Sequence, residues 1–372
     1  MAVVTHVVRQ FLPNRGGVED VVFHLGLGQV QLGWDVRIVT LNRLFRDLLT
    51  RLPEREEIAG LKVTRISFSG STRYPIAPQV LLHLSQSNIV HVHAIEFFFD
   101  FLALTKPLHR KKLIATTHGG FFHTPFASRL KRIYFPTITR LSTMAYEKIV
   151  ASSSSDAEMF RRLSSRVVTI ETGVNLTKFS DCAARAHSRT MIYFGRLSSN
   201  KRIPLLLSVL AELRKISPDW TLIVAGTEFE ETISGLTEHA RKLDIDNAVR
   251  FISSPSDSDL AQIIGKASYF ASLSAYEGFG ISVVEAMAAG LVPILSDIAP
   301  FQEFVRRAGG GLIVRANNLR SAAEAIVAFD SAHPTKDRAK FIGAAAKYGW
   351  TGVTEAYLAE YERILSASSL QE

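Results

Sequence analysis

Cysteine is almost absent from this chain of 372 residues, where Cys182 stands alone. One cysteine excludes an internal disulfide framework and any zinc site built from several thiolates. A reducing, cytoplasmic setting is the simplest fit. Long apolar runs are missing too, with no stretch of about 18 uninterrupted apolar residues, so no spanning helix is expected. The opening residues, Met1–Val8, lack a basic region and a cleavage site, and read as a first strand rather than a signal peptide. There is no short internal repeat and no helix-turn-helix, zinc-finger or RNP pattern, which leaves nucleic-acid recognition without a scaffold.

What is present is uneven. Residues 1–186 carry 24 Lys/Arg against 14 Asp/Glu, whereas residues 187–372 carry 19 against 21. A basic half beside a near-neutral half implies an anionic partner for the first, and an acidic membrane leaflet fits better than nucleic acid. The stretch Arg129–Arg140 mixes Leu130, Ile133, Tyr134, Phe135 and Ile138 with cations, as an interfacial segment does. Lys131, Arg132 and Arg140 are its membrane-facing candidates, and Pro136 is expected to interrupt any continuous helix there. The bland alternative is a helix with a solvated basic face.

The length predicts two domains. Thr5–Val8, the turn at Gly16-Gly17, a helical pattern over Val18–Leu32 and the apolar run Val36–Leu41 make a βαβ unit. Strands are expected at Leu61–Phe68, Ile89–His93, Leu113–Thr117, Lys148–Ser152 and Val167–Ile170. Residues 178–189 show no periodicity and read as linker. The pattern restarts with strands at Met191–Phe194, Thr221–Ala225, Val249–Ile252, Ala267–Leu273, Val292–Leu295 and Gly311–Val314. An amphipathic helix at Thr351–Leu365 closes the chain. The expected bounds are 1–178, a linker at 179–188, a second domain at 189–345, and a final helix at 346–372 that packs back on the first domain. Ligand would bind where the strand ends of the two domains face each other across a cleft.

The densest signal is Glu277-Gly278-Phe279-Gly280-Ile281, with Glu285 further on. A buried strand ends, a glycine turn follows, and a helix starts, so backbone N–H groups and a helix dipole converge on one spot suited to phosphate. The flanking carboxylates are misplaced for phosphate but suit sugar hydroxyls, which donate to carboxylate oxygens. Alternatively, Ser282-x-x-Glu285 is a capping box and Glu277 a solvated loop residue. Arg196 and Lys201 follow the strand that ends at Gly195, where they could reach anionic oxygens, and Gly226 ends the next strand. His118 follows a strand and precedes two glycines, in the place of a ligand residue or of a satisfied loop histidine.

The Gly16-Gly17 turn, His118, Gly195-Arg196 with Lys201, and the Glu277-to-Glu285 stretch stand in the order found in glycosyltransferase family 4, which the chain resembles over nearly its whole length. The resemblance implies an α/β fold of the GT-B type, two Rossmann-like domains, working without metal or cofactor. It implies that Glu277 holds the donor sugar's hydroxyls, that the backbone of Gly278, Phe279, Gly280 and Ile281 meets sugar and phosphate, and that Glu285 meets the ribose. Arg196 and Lys201 would neutralise the departing diphosphate, Gly16 and Gly17 would close on it, and His118 would lie near the anomeric carbon. Gly195 and Gly226 join the donor-binding set. Arg202 stands where many members have glycine.

Val7–Phe11, Ser71–Pro78, Phe101–His109 and Thr117–Thr124 resemble a subgroup of bacterial exopolysaccharide enzymes. That likeness implies transfer of mannose from GDP-mannose to cellobiosyl-diphosphopolyprenol through an α-1,3 link, peripherally at the cytoplasmic face of the inner membrane. Arg73 and His123 are the implied acceptor-side residues. Another donor such as UDP-glucose, a nucleotide-sugar 2-epimerase, and a non-enzymatic membrane or nucleic-acid binder stand as the competing readings.

Overall fold

The computed structural model describes residues 2–14, 16–118, 134–332 and 338–369. It forms two compact units, Met1–Gly173 with Trp350–Glu372, and Val174–Gly349.

Eight strands make the sheet of the first unit. Their order is Val167–Thr169, Lys148–Ala151, Lys112–Thr116, Ile89–His93, Val3–Val7, Asp35–Leu41, Leu61–Ile66 and Arg55–Ile58. All pairings are parallel except the last, where Arg55–Ile58 runs antiparallel on the edge. The short apolar runs of the sequence follow from this, since a parallel sheet is covered on both faces. One face packs under the helices Gly17–Gln31 and Trp350–Ser369, with Val22, Leu25, Tyr357 and Tyr361 against Val4, Ile38 and Ile114. The other face holds Phe98, Phe99, Tyr146 and Phe160 against Val7, Val39 and Val92. The final helix thus returns to the first unit, as expected.

The second unit has six parallel strands in the order Val249–Ser253, Thr221–Gly226, Thr190–Phe194, Tyr269–Ser272, Val292–Ser296 and Leu312–Val314. Counted along the chain, that is 3-2-1-4-5-6, the doubly wound dinucleotide-binding order, with its switch point between the first and fourth strands. Burial is continuous there: Met191, Ile192, Tyr269 and Phe270 are all within 1% of full burial.

Two expectations are corrected, and one strand was not expected. The chain passes between units at residues 173/174 and 349/350, not within 179–188. Phe179 and Ala183 are buried in the second unit's core, and Arg338 bonds the carbonyl of Ala183, so the supposed linker is packed structure. The edge strand Arg55–Ile58 is charged and escapes a search for apolar runs. Residues 134–143 stay helical through Pro136, because the chain widens into a π turn at Phe135–Thr139 that accommodates the missing N–H.

Candidate active site

In the second unit the two loops flanking the switch point converge. Lys201, from the loop after Thr190–Phe194, places its Nζ 2.6 Å from Oε1 of Glu277, from the loop after Tyr269–Ser272. Both side chains are more than four-fifths buried. Ser274 Oγ also donates to that Glu277 oxygen at 2.8 Å. Ser296 in turn anchors the Ser274 carbonyl at 2.6 Å, and the Ala275 amide donates to the Asn200 carbonyl at 2.7 Å. The two loops are therefore tied by backbone as well as by charge.

The glycine turn has the geometry that anion binding needs. Gly280 takes φ +106°, a conformation glycine reaches freely, and caps the helix Ile281–Ala289 with no side-chain partner. The first N–H groups of that helix are thus left for a ligand. This also removes the capping-box alternative, because Ser282 lies inside the helix rather than ahead of it. A Cβ built on Gly278 meets nothing within 4 Å, so this backbone faces open space. The Phe279 ring turns inward onto Phe304 and Tyr348, with centroids at 5.4 and 5.6 Å, leaving its backbone to the turn. Gly226 has a packing reason to be glycine, since a Cβ there would lie 1.9 Å from the Gly195 carbonyl oxygen.

Glu285 lies in the second turn of the same helix. Burial pushes its carboxyl up to about 7, against the pull of Lys178, whose Nζ lies 3.8 Å away and bonds Asp257 at 2.9 Å. Lys178 escaped sequence reasoning because it lay in the supposed linker. Arg196 is exposed, its guanidinium 5.2 Å above the Phe229 ring, and its carbonyl accepts from Tyr193 Oη at 2.9 Å. Arg202 takes φ +53°, in the left-handed region that glycine adopts more freely. The loop keeps its path with arginine at a small strain.

In the first unit Gly16 caps the helix Gly17–Gln31, again with no side-chain partner, and a Cβ on Gly17 would meet open space. The switch point of this sheet lies between Val3–Val7 and Ile89–His93. Here Arg9 pairs with Glu96, which the sequence reading did not single out. Burial pushes the Glu96 carboxyl up to about 7 although Arg9 opposes it. Arg73 is exposed on the next loop, and its carbonyl accepts from Arg9 at 3.4 Å. His118 follows the strand Lys112–Thr116 with φ +54°, half-buried, and burial pushes its imidazole down to about 4. His123, Lys131 and Arg132 lie outside the described residues, and Arg140 is exposed at the start of the helix Arg140–Thr143.

Among the described residues one cluster has metal-ligand composition: His6, His91 and His93. Each imidazole already uses both nitrogens. His6 pairs with His93 at 2.8 Å and Gln29 Oε1 at 2.7 Å; His91 with Tyr361 at 2.6 Å and Thr116 at 2.7 Å; His93 also with His118 at 2.9 Å. An ion could enter only by opening these bonds, so the cluster reads as a hydrogen-bond chain.

Comparison with known proteins agrees with this geometry. The family described as Glycosyltransferase Family 4 matches residues 15–178, and that described as Glycosyl transferases group 1 matches residues 177–348. A GDP-mannose:cellobiosyl-diphosphopolyprenol alpha-mannosyltransferase of Komagataeibacter xylinus is 46% identical over 97% of this chain and 93% of its own. One of the same name from Xanthomonas campestris is 42% identical over 99% of both. A solved glycosyltransferase of Rickettsia africae superposes with a TM-score of 0.75 at 17% identity, covering 98% of each chain. Fold and site thus define a glycosyltransferase of the GT-B class. The chain belongs to glycosyltransferase family 4, in the group formed by these α-mannosyltransferases.

Proposed function

We propose that the chain transfers mannose from GDP-mannose to polyprenyl-diphosphate-linked cellobiose, with retention and an α-1,3 link, in bacterial exopolysaccharide assembly. The observation that carries this reading is full-length similarity to two enzymes named for that donor and acceptor. The C1–O bond to the β-phosphate breaks as the acceptor hydroxyl attacks the same face of C1, and the leaving phosphate takes the hydroxyl proton. Charge then grows on the diphosphate, and fixed cations and N–H groups stabilise it without reorganising. Lys201, Arg196 and the bare N–H groups at Gly280 and at Gly16 have that role. The Lys201 ammonium has three N–H donors, and its contact with Glu277 uses one of them, which retains donors for phosphate. Glu277 holds sugar hydroxyls, Glu285 the ribose, and His118 the sugar near C1. Arg73 and His123 serve the acceptor.

The reaction is placed at the cytoplasmic face of the inner membrane, with peripheral attachment. No helix among the described residues is long and apolar enough to cross a bilayer. Leu104, Leu108, Ile138, Leu141 and Met144 are nonetheless exposed. The helix Phe97–Leu104 packs against both Lys106–His109 and Arg140–Thr143, so the segments that carry these side chains are neighbours. Apolar tips among cations suit a headgroup layer.

The test is a donor panel. Labelled GDP-mannose, UDP-glucose, UDP-galactose and UDP-GlcNAc are each incubated with and without a cellobiosyl-diphosphopolyprenol analogue, and lipid-extractable label is counted. Label from GDP-mannose alone, and only with that acceptor, is expected. Label from a different donor discards the donor assignment while keeping the family.

A further inference from the structure

The centre of the first unit's sheet is polar where aliphatic side chains would pack with less cost. His6, His91, His93 and Gln29 are fully buried, as is Tyr361 of the final helix. His6 stands beside His91 in the strand register, and His93 beside Thr116. The hydrogen bonds form one line. It runs from Tyr357 through Thr116 (3.1 Å), His91, Tyr361 and Gln29 (3.3 Å) to His6, His93 and His118. Its end is the residue assigned to the donor sugar.

A line of neutral imidazoles has a direction. Each ring has one N–H and one bare nitrogen, so fixing one end fixes every ring. Burial holds His6 at about 4, His93 well below its ordinary value, and His118 at about 4, so all three are neutral near pH 7. The Gln29 carbonyl oxygen only accepts, hence His6 carries its hydrogen on Nε2 and leaves Nδ1 bare. His93 must then donate from Nε2, and His118 from its Nε2. The bare Nδ1 of His118 is left outside the line.

We propose that Gln29, His6 and His93 are positioning residues that hold His118 as the Nε2–H tautomer, so that its Nδ1 accepts a hydrogen bond from a donor-sugar hydroxyl. This rests on the reading of His118 as a donor-sugar contact. The chemistry favours it twice: sugar hydroxyls are good donors, and a neutral acceptor does not oppose the positive charge that grows at the anomeric carbon. Rotating the Gln29 amide would reverse every bond in the line and turn His118 Nδ1 into a donor. Gln29, 89 positions before His118 in the chain, thus sets the polarity of the site.

The direct test is the ¹⁵N spectrum of histidine-labelled full-length protein near neutral pH, with the His118 signals identified by their loss in His118→Ala. The expected result is a protonated Nε2 and a bare Nδ1. A protonated Nδ1, or both nitrogens protonated, overturns the proposal without touching the transferase reading. Gln29→Leu should mix the two tautomers and lower kcat/KM for the donor about tenfold at an unchanged fold. Gln29→Glu, buried and protonated, keeps an accepting oxygen toward His6 and should restore the Nε2–H signal and most of the rate. If His118→Ala transfers at the normal rate, the donor-sugar role of His118 fails, and with it the purpose assigned to the line.

Discussion

Removing Lys201 or Glu277 separates what their pair does for stability from what it does for the reaction. The pair is 2.6 Å long, with side chains 18% and 11% exposed, and Ser274 bonds the same carboxylate oxygen. Breaking a fully buried pair costs about 3–5 kcal/mol, because the remaining charge is stranded. Solvent still reaches this one, so roughly 1–2 kcal/mol is expected for Lys201→Met or Glu277→Gln alone. The double variant strands nothing and should regain most of that stability. Catalysis should behave differently. Lys201 is assigned to the charge that develops on the diphosphate, and losing one such donor costs about a hundredfold or more in rate, near 2.7 kcal/mol. Glu277→Gln keeps a hydroxyl acceptor but loses its charge, and should be comparably slow. The double variant should therefore be stable and still slow. Urea melts and lipid-extractable mannose from labelled GDP-mannose read the two quantities on the same preparations. A double variant that regains the rate, or Lys201→Met within about threefold of wild type, refutes the assignment.

Two glycines should respond oppositely. Gly278→Ala places a methyl in open space, so melting should not move while donor KM rises; Gly226→Ala drives a Cβ onto the Gly195 carbonyl and should cost roughly 3 kcal/mol or prevent folding, as circular dichroism would show. The Glu285 carboxyl is held up to about 7, and only when ionised do both of its oxygens accept, and accept strongly, from the two ribose hydroxyls. GDP-mannose affinity by calorimetry should thus tighten from pH 6 to pH 8, and Glu285→Gln should flatten that dependence. The same raised value means that Glu285 favours the folded state below the ordinary carboxylate range and loses this contribution as pH rises through about 7. Replacing Leu141 and Met144 by serine should weaken sedimentation with anionic vesicles severalfold while leaving donor binding intact; unchanged sedimentation would move the membrane face elsewhere.

The fold was legible because parallel strands announce themselves. Runs such as Met191–Phe194 and Val292–Leu295 are buried on both faces, and the glycine turns that follow them mark the strand ends where ligands bind. The Glu277 and Lys201 loops could be named from sequence for that reason, although their direct contact could not, since 76 residues separate them. Lys178 was hidden by its surroundings. Polar, aperiodic chain reads as linker, yet residues 179–183 pack through two apolar side chains that no period reveals. The edge strand Arg55–Ile58 was lost because its pairing, not its composition, makes it a strand.

The histidine line shows where such reading stops. His91 alternates with Val90 and Val92, and alternation alone permits packing or exposure. Only the register sets it beside His6, with Thr116 two residues along the next strand within reach of its ring, and only the returning helix brings Tyr357 and Tyr361 over them. A buried polar group without a partner costs about 1–3 kcal/mol, and this face contains several, so each partner is needed to retain the others. The final helix therefore cannot be replaced by any amphipathic helix of the same apolar pattern. Tyrosines must stand at 357 and 361 to satisfy Thr116 and His91, and Tyr361 must leave its oxygen free to receive the Gln29 amide. A segment that composition marks as a simple apolar cover is thereby bound by stereochemistry to the tautomer of a residue 243 positions earlier, His118, through hydrogen bonds that each have one consistent direction.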